Sequence, residues 1–212
     1  MNTSHDTYVI GAGGHAKVVI ATLRENGHTV KAAFDDDPKK WGKDLLGVPV
    51  VGPPEQLGNL PQARAIIAVG INGFRKAIAG RFPRMEWLTV VHPSAYVHPT
   101  VQLGSGTVVF AGAVIQPDTR IGAHCIVNTS SSIDHDCLLE DYVHLAPGVN
   151  LAGGVRLDQG VFVGIGGAII PNISVGRWTV IGAGGVVVKD LAGHSLAVGI
   201  PARSIKKREE PS

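Results

Sequence analysis

The chain has 212 residues, of which 44% are hydrophobic, 17% are charged and 5% are aromatic. Its formal net charge of +2 gives no basic footprint for nucleic acid, so we expect no nucleic-acid partner. Residues 1–6 lack the basic and apolar regions of a signal peptide, and no apolar run reaches the roughly 18 residues that a membrane span needs. The composition predicts a cytoplasmic globular protein with no membrane partner.

The N-terminal part of the chain alternates short apolar runs with helical patterns. Strands are predicted over Tyr8–Ile10, Thr29–Phe34 and Arg64–Val69, and helices over Ala16–Glu25 and Asn72–Phe82. Alternation of this kind is typical of a parallel sheet with crossover helices. We therefore predict a Rossmann-like βαβ domain over residues 1–90.

From residue 91 onward the sequence repeats with a period of six. Every sixth residue from Val97 to Val187 is aliphatic, and the residues two places earlier are all small or β-branched. This period is the signature of a left-handed parallel β-helix, in which three short strands form one coil and equivalent positions stack on the next coil. We predict this fold over residues 91–212, including a C-terminal tail. Apolar, Gly-rich walls without a shielding loop favour packing against copies of the chain as a homotrimer.

The first predicted strand runs into a glycine-rich turn, Gly11-x-Gly13-x-x-Ala16. Such glycines let backbone amides approach a phosphate at a helix N-terminus, and a carboxylate about 20 residues later can hold a ribose hydroxyl or a base edge. Asp35 and Asp36 stand at that distance. Because the domain has room for only one nucleotide-binding half, a nucleotide-diphosphate ligand is favoured over a nicotinamide dinucleotide.

Further residues lie near the same predicted crevice. His15, in the glycine-rich turn, has the chemistry to reach a phosphate or a sugar, or to act as a solvated cap residue. Gly70 ends a strand whose carboxyl end would face the crevice. Asn72 and Arg75 follow at the start of the next helix, where they fit a site or an ordinary cap and surface position equally well.

In the repeat, His135 stands two positions after an inward residue, at an outward corner flanked by Asp134 and Asp136. A histidine with an adjacent carboxylate is suited to act as a general base, because the carboxylate fixes its tautomer and basicity. One coil further on, the same corner is Gly153, which leaves space above the imidazole. We predict a catalytic role for His135; the alternative is a solvated surface histidine, and either carboxylate could orient it.

A possible binding groove follows from the same repeat. His144 precedes the inward Leu145, so it points outward on a wall that would face another protomer. Pro147, Ile165 and Ala183 form an uncharged corner column, along which a long, flexible acyl carrier could lie.

No metal site is predicted from the sequence. Cys125 and Cys137 fall on the small inward position, which favours a role as core hydrophobes. The histidines lack the spacing expected of a γ-type carbonic anhydrase, which shares the β-helix fold and needs three histidine ligands. Stoichiometric zinc in the purified protein would nevertheless indicate that class.

The whole chain resembles the bacterial nucleotide-aminosugar N-acetyltransferases, such as the bacillosamine-pathway and perosamine enzymes, which are grouped with the sialic acid O-acetyltransferases. The resemblance is carried by the segments Gly11–His15, Phe34–Asp36, Ala68–Gly70, Asn128–Thr129, His135–Cys137 and Val198–Ala202. It implies a homotrimer in which the N-terminal domain binds a nucleotide sugar and the β-helix binds acetyl-CoA between adjacent subunits.

The resemblance also implies roles for individual residues. His135 would be the proton acceptor, and Asp136, where many relatives have Glu, would raise its basicity. The nucleotide sugar would be contacted by Gly13, Gly14, His15, Asp35, Asp36 and Gly70. The acetyl-CoA groove would be lined by His144, Gly153, Ile165 and Ala183.

The reaction implied is direct transfer of an acetyl group from acetyl-CoA to the amine of a UDP- or GDP-linked amino sugar, with a UDP-4-amino-4,6-dideoxy sugar favoured. Two alternatives stay open: an O-acetyltransferase acting on a sugar hydroxyl such as that of sialic acid, and a non-catalytic nucleotide-sugar sensor. The nucleotide, the position of the amine and the acyl chain also remain open.

Overall fold

The computed structural model describes residues 6–60 and 63–207. The prediction of a cytoplasmic protein used residues 1–6, and residues 1–5 lie outside the described part. Residues 208–212, at the end of the predicted C-terminal tail, also lie outside it. In the N-terminal domain the elements are β1 (Thr7–Ile10), α1 (Gly14–Glu25), β2 (Val30–Phe34), a 3-10 helix (Pro38–Lys40), β3 (Asp44–Leu45), β4 (Val48–Gly52), a second 3-10 helix (Pro54–Asn59), β5 (Arg64–Ile67), α2 (Asn72–Arg81) and β6 (Glu86–Trp87).

The N-terminal strands form one sheet in the order β3-β4-β2-β1-β5-β6. The central strand β1 pairs in parallel with β2 and β5, which confirms the Rossmann-like βαβ prediction. The apolar side of α1 is buried against the sheet, since Val19, Ile20 and Leu23 are at most 1% exposed. Sequence patterns missed the β3–β4 hairpin and β6. β3 and β6 have two residues each, too few to show a period, and in the five-residue β4 Pro49 interrupts the strand pattern.

The boundaries of the predicted elements differ from the structure by a few residues. α1 begins at Gly14 rather than Ala16, because Gly13 has an extended backbone and acts as the N-cap. β5 ends at Ile67, two residues before the predicted end, and α2 ends at Arg81 rather than Phe82. These shifts leave the glycine-rich turn and residues 68–71 together at the carboxyl end of the sheet.

The repeat forms a series of two-residue strands. They are β7 (Val90–Val91), β8 (Tyr96–Val97), β9 (Gln102–Leu103), β10 (Val108–Val109), β11 (Val114–Ile115), β12 (Arg120–Ile121), β13 (Ile126–Val127), β14 (Ser132–Ile133), β15 (Leu138–Leu139), β16 (His144–Leu145), β17 (Asn150–Leu151), β18 (Arg156–Leu157), β19 (Phe162–Val163), β20 (Ala168–Ile169), β21 (Ser174–Val175), β22 (Val180–Ile181) and β23 (Val186–Val187). A hairpin, β24 (Ser195–Gly199) and β25 (Ala202–Lys207), follows.

These strands stack into three parallel sheets, which are the faces of a left-handed β-helix, as the six-residue period predicts. Face 1 runs β7-β10-β13-β16-β19-β22-β24 and ends with the antiparallel β25, face 2 runs β8-β11-β14-β17-β20-β23, and face 3 runs β9-β12-β15-β18-β21. The inward aliphatics from Val109 to Val187 are buried. Val97 and Leu103, in the first coil, are only partly buried. Because Val90 already pairs with Val108, the first strand of face 1 includes the last residue of the predicted N-terminal domain.

The N-terminal domain packs on the outside of face 1. Val9 and Ala16 share a buried apolar cluster with Val108, Phe110 and Ile126, which project outward from or beside that face. The first coils of face 1 are therefore covered by the N-terminal domain of the same chain. For these coils, the expectation that the outer wall of the β-helix faces another protomer is wrong. No helix in residues 6–60 or 63–207 is long and apolar enough to cross a membrane.

Candidate active site

His135 lies in the turn between β14 and β15, at the corner between faces 2 and 3. Its Nδ1 is 2.7 Å from Oδ2 of Asp136, so the carboxylate accepts the Nδ1 hydrogen and leaves Nε2 unprotonated in the neutral ring. The carboxylate of Asp134 instead accepts the backbone N–H of His135, at 2.8 Å. Asp136, rather than Asp134, thus orients the imidazole. Although an Asp side chain is shorter than the Glu expected in many relatives, it reaches Nδ1 at 2.7 Å.

The electrostatics of this corner favour a proton on His135. The hydrogen bond to Asp136, and then the charge of Asp134, raise the pKa of His135 above its ordinary value of 6.5. Asp136 itself has a positive φ of 59°, a conformation that Asp tolerates better than most residues. The side chains of His135 and Asp136 are 60% and 66% exposed, so the pair is open to a substrate.

Gly153 occupies the same corner one coil above His135. A Cβ at this position would lie 2.7 Å from both Cε1 and Nε2 of His135, which is too close for any real contact. The absence of a side chain at Gly153 therefore gives the imidazole its position and gives Nε2 its access.

The nucleotide-binding residues predicted from the glycine-rich turn border a cavity of about 450 Å³ at the carboxyl end of the N-terminal sheet. Gly11, Asp35 and Asp36 line it, together with Lys40 and Arg81, which the sequence reasoning did not select. Gly13 and Gly14 lie beside it at the start of α1, with open space around both α-carbons. The cavity combines an apolar floor with charged groups at its rim, as a nucleotide pocket requires.

Asp35 holds the glycine-rich turn in place. Its Oδ2 accepts the backbone N–H of Ala12 at 2.7 Å and the ammonium of Lys40 at 2.8 Å, while Oδ1 accepts the N–H of Asp37 at 3.0 Å. Burial alone would raise the pKa of this carboxyl, but Lys40 and the two amides outweigh it and lower the pKa below 3.8. Asp35 therefore shapes the pocket with a carboxylate whose hydrogen-bonding capacity is largely used within the protein.

Asp36 is also paired within the protein. Arg81 donates to both of its oxygens, at 2.9 and 3.0 Å, and to Glu55 as well. The side chain of Asp36 is 59% exposed, so it remains within reach of a ligand in the cavity. A single sequence does not distinguish an arginine at the edge of a cavity from one exposed to solvent. The sequence patterns therefore gave no signal for Arg81.

His15, Gly70 and His144 meet where the N-terminal domain covers face 1. His144 Nδ1 lies 3.0 Å from the Gly70 carbonyl, and the His15 ring is 6.3 Å from the His144 ring. Burial and the charge of Arg75 lower the pKa of His15 to about 4 and that of His144 to about 3. Nε2 of His15 is buried and has no hydrogen-bond partner among residues 6–60 and 63–207. The cluster thus offers neutral imidazoles to an incoming polar ligand.

The remaining predicted groove residues lie elsewhere on the β-helix. Ile165, 58% exposed, and Ala183 stand at the corner between faces 1 and 2. Gly153 stands at the corner between faces 2 and 3. One chain therefore does not bring the four predicted acetyl-CoA residues into one groove, and it separates His135 from the nucleotide cavity, because the corner of His135 is opposite face 1.

Within the described ranges 6–60 and 63–207, no group of three or more His, Cys, Asp or Glu side chains is arranged to hold a metal ion. Cys125 and Cys137 are free and buried. Burial raises the pKa of Cys125 to about 12, so its thiol stays protonated.

A parallel β-helix that carries an α/β domain on one face and an exposed His–carboxylate pair at a corner defines a hexapeptide-repeat acyltransferase. A family model described as the PglD N-terminal domain matches residues 6–82. Over 95% of its length the chain is 42% identical to a variant of perosamine N-acetyltransferase from Caulobacter crescentus, solved in complex with CoA and GDP-perosamine; 97% of that chain is covered, with a TM-score of 0.90.

Two further proteins are similar. The acetyltransferase domain of PglB from Neisseria gonorrhoeae is 34% identical, with 95% of this chain and 100% of that chain covered and a TM-score of 0.89. UDP-N-acetylbacillosamine N-acetyltransferase of Bacillus subtilis is 40% identical over 49% of this chain and 50% of its own length. An uncharacterized mimivirus protein is matched over 20% of its length, so the chain spans half or less of these curated relatives. The chain belongs to the family of bacterial nucleotide-aminosugar N-acetyltransferases.

Proposed function

We propose that the protein transfers the acetyl group of acetyl-CoA to the amine of a nucleotide-linked amino-deoxysugar, with His135 as general base. The observation that carries this proposal is the 2.7 Å contact between His135 and Asp136, which leaves Nε2 unprotonated in the neutral ring of an exposed side chain that lies against the α-carbon of Gly153. Likeness over nearly the whole chain to an enzyme solved with CoA and GDP-perosamine supports the same reaction.

The chemistry needs one proton acceptor. The neutral sugar amine attacks the thioester carbonyl, forming a C–N bond, and His135 Nε2 takes the proton that the amine loses. Collapse of the tetrahedral intermediate breaks the C–S bond, and the proton ends on the departing CoA sulfur. Asp136 stabilises the imidazolium in between, and alignment of the two substrates supplies much of the remaining rate.

The site is proposed to be completed by a neighbouring copy of the chain. His135 and Gly153 lie at the corner opposite face 1, whereas His15, Gly70 and His144 lie on face 1 beneath the N-terminal domain. A sugar held by one protomer therefore needs the base of another. A ring of three β-helices, corner to face, provides this arrangement with closed symmetry, so we propose a homotrimer with acetyl-CoA bound between subunits.

The nucleotide sugar is proposed to occupy the 450 Å³ cavity with its base and ribose near Asp35 and Asp36. Its sugar would then extend past Gly13 and Gly14 toward His15. The similarity of 95% of this chain to an enzyme solved with GDP-perosamine favours a 4-amino-4,6-dideoxy sugar linked to GDP. The similarity to the Bacillus UDP-N-acetylbacillosamine enzyme makes a UDP-linked sugar the alternative substrate.

The proposal is tested by acetyl-CoA-dependent thiol release with UDP- and GDP-linked 3-amino and 4-amino deoxysugars and their hydroxyl counterparts. We expect turnover with one amino sugar and a loss of about 10² to 10⁴ in His135→Ala, the usual contribution of a general base. His98→Ala, at a half-buried histidine in the first coil, is the matched control and keeps wild-type activity.

Three outcomes would replace the proposal. Equal activity in purified His135→Ala would remove His135 from the reaction. Turnover of the hydroxyl sugars alone would favour an O-acetyltransferase. Nucleotide-sugar binding in calorimetry without release of thiol from any acceptor would favour the sensor.

A further inference from the structure

Arg75 is a buried cation at the junction of the two domains, and nothing in the proposed reaction uses it. It is 1% exposed, and burial lowers its pKa to about 10, so it still carries its charge near neutral pH. A buried charge usually pairs with an opposite charge. Within the described ranges of the chain, the guanidinium of Arg75 meets only neutral oxygens.

The contacts of Arg75 join the end of β5 to the β-helix. Nε donates to the carbonyl of His124 at 2.7 Å, and Nη2 donates to the carbonyl of Tyr142 at 2.9 Å and to Oδ1 of Asn72 at 3.0 Å. Nη1 donates to the carbonyls of Val69 at 3.1 Å and Gly70 at 3.3 Å. The planar guanidinium thereby fixes the peptide groups that follow β5 against two successive coils.

The Gly70 carbonyl is shared with His144. A carbonyl can only accept, so the 3.0 Å contact requires that Nδ1 of His144 carries the hydrogen. Nε2 is then unprotonated and faces Nδ2 of Asn128 at 3.5 Å. The other end of that amide is fixed, because Oδ1 of Asn128 accepts the backbone N–H of Thr129 at 2.9 Å.

In the part of the chain that the structure describes, the groups around His144 add no negative charge. His15 faces it from α1, Arg75 lies behind Gly70 on α2, and Phe162 packs edge-on from the next coil at 5.0 Å. Beside Arg75, burial raises the pKa values of Cys125 and Tyr142, so both are uncharged near pH 7. Burial first, and Arg75 second, lower the pKa of His144 to about 3.

We propose that Arg75 is a positioning residue for His144: by fixing the Gly70 carbonyl and supplying an unneutralised charge, it holds His144 as the neutral Nδ1–H tautomer. Nε2 is then a hydrogen-bond acceptor, used by Asn128 in the protein without ligands and available to a substrate that displaces this 3.5 Å contact. The substrate part of this inference rests on the proposed function. The state of His144 does not, because it is a property of the protein without ligands.

The first test is a long-range ¹H–¹⁵N spectrum of the full chain labelled at histidine, without ligands, from pH 5 to 8. His144, assigned with His144→Gln, is expected to stay neutral throughout, with hydrogen on Nδ1. Protonation of His144 between pH 5.5 and 7 in the wild-type protein, or hydrogen on Nε2, would overturn the proposal without any variant of Arg75.

Two substitutions separate charge from geometry. Arg75→Lys keeps the charge but cannot span the five oxygens, so we expect a mixed tautomer with a pKa that stays low, and a kcat lower by about 10²-fold with little change in KM, as for other misplaced groups. Arg75→Met removes the charge, so the pKa of His144 should rise, but by less than the full shift, because burial is the larger cause of that shift.

Controls distinguish positioning from general weakening of the interface. Asn72→Ala removes the bonds from its amide to the carbonyls of Gly160 and Val161, at 3.0 and 3.2 Å. It also removes one acceptor of Nη2 of Arg75, but it leaves the bond from Nη1 of Arg75 to the Gly70 carbonyl in place. It should lower stability while leaving the His144 tautomer unchanged. Arg24→Met, an exposed arginine bonded to the carbonyl of Leu46, should change neither.

The outcomes also separate this proposal from the proposed function. If no acceptor is turned over but the His144 spectrum responds to Arg75→Lys, the positioning role stands and the proposed reaction fails. If Arg75→Met does not fold, the wild-type and Arg75→Lys spectra still decide. If Asn72→Ala perturbs His144 as strongly as Arg75→Lys does, the role is structural only and the proposal is wrong.

Discussion

In the β-helix, His135 and Gly153 owe their positions to the six-residue repeat, whereas in the N-terminal domain Asp35 owes its position to hydrogen bonds with the glycine-rich turn and with the first 3-10 helix and its N-cap. A repeat corner is held by the stacked core beneath it, so its outward side chains are free to differ. Asp35, in contrast, binds Ala12 and Asp37 as well as Lys40, so the same bonds shape the pocket and hold the domain together.

This contrast teaches where function and stability can be separated. Outward corner substitutions in the β-helix should remove activity and leave the free energy of unfolding unchanged. Substitutions at the nucleotide pocket should lower binding and stability together. The following experiments can break or sharpen that distinction.

Among the substitutions that test this distinction, the largest effect is expected from Gly153→Ala. The added Cβ would lie 2.7 Å from Nε2 of His135, so the imidazole must turn away. A misplacement of this size costs about 10²-fold in rate. Because the clash is with the free end of an exposed side chain, the thermal midpoint should stay the same, which scanning calorimetry beside the thiol-release assay will check.

Gly80→Ala is the matched control, since Gly80 lies in α2 with open space around its α-carbon. Alanine in a helix is favoured over glycine by about 0.5–1 kcal/mol, so this variant should be slightly more stable and fully active. A drop in the melting temperature of Gly153→Ala comparable to its loss of activity would contradict the separation claimed for the β-helix.

A smaller and coupled effect is expected from Asp35→Asn. The new amide nitrogen must face a donor, either the N–H of Ala12 with Lys40 or the N–H of Asp37. A lost charged hydrogen bond with an unsatisfied donor costs about 1–3 kcal/mol. Urea unfolding and calorimetric titration with the nucleotide sugar should show both quantities falling together. Asp44→Asn, at the exposed start of β3, should change neither, because its Oδ1 still accepts the N–H of Gly47.

The pH dependence gives this prediction a sign. The folded pKa of Asp35 lies below the ordinary 3.8, so its contribution to the free energy of unfolding is fully present above that value and is lost as the pH falls through the folded pKa. The stability difference between wild type and Asp35→Asn should therefore be constant near pH 7 and shrink on strong acidification. If Asp35→Asn lowers the affinity for the nucleotide sugar without lowering the free energy of unfolding, function and stability are separable at Asp35, as they are at the His135 corner, and the contrast between the two regions is wrong.

The sequence predicts the β-helix almost residue by residue because its period is local and repeats many times. The inward positions from Val109 to Val187 and the corner of His135 follow from counting alone. The α/β domain is predicted only in outline. Its two central helices and three strands show a pattern, but the β3–β4 hairpin adds to the sheet through contacts that no local period reveals.

The candidate site divides in the same way. The exposure of His135 and the space at Gly153 follow from the repeat, whereas the burial of His144 does not, because it depends on which face the N-terminal domain covers. Arg75 shows the limit most clearly: a charged residue at the start of a helix is ordinarily solvated, and only the assembled domains reveal a guanidinium enclosed by carbonyls.

The smallest expected effect is a shift in pH dependence on changing Asp136 to Asn. The carboxylate raises the pKa of His135 above 6.5, so the kcat/KM of the wild-type enzyme should rise with pH through that ionisation as the base is freed. Asn still offers an oxygen to the Nδ1 hydrogen, so the tautomer is kept, but the charge is gone. The rise should occur at lower pH, and its plateau should be lower because the base is weaker.

Two matched variants make the assignment specific. Asp134→Asn removes a charge that acts on His135 only at a distance, since its carboxylate binds the backbone N–H, so its shift should be smaller than that of Asp136→Asn. Asp136→Glu restores the charge on a longer arm and should keep a profile close to that of wild type. Profiles of kcat/KM report the free enzyme, so the order of the shifts measures which carboxylate holds the imidazole. A larger shift for Asp134→Asn would transfer that role to Asp134 and leave the 2.7 Å contact without a function.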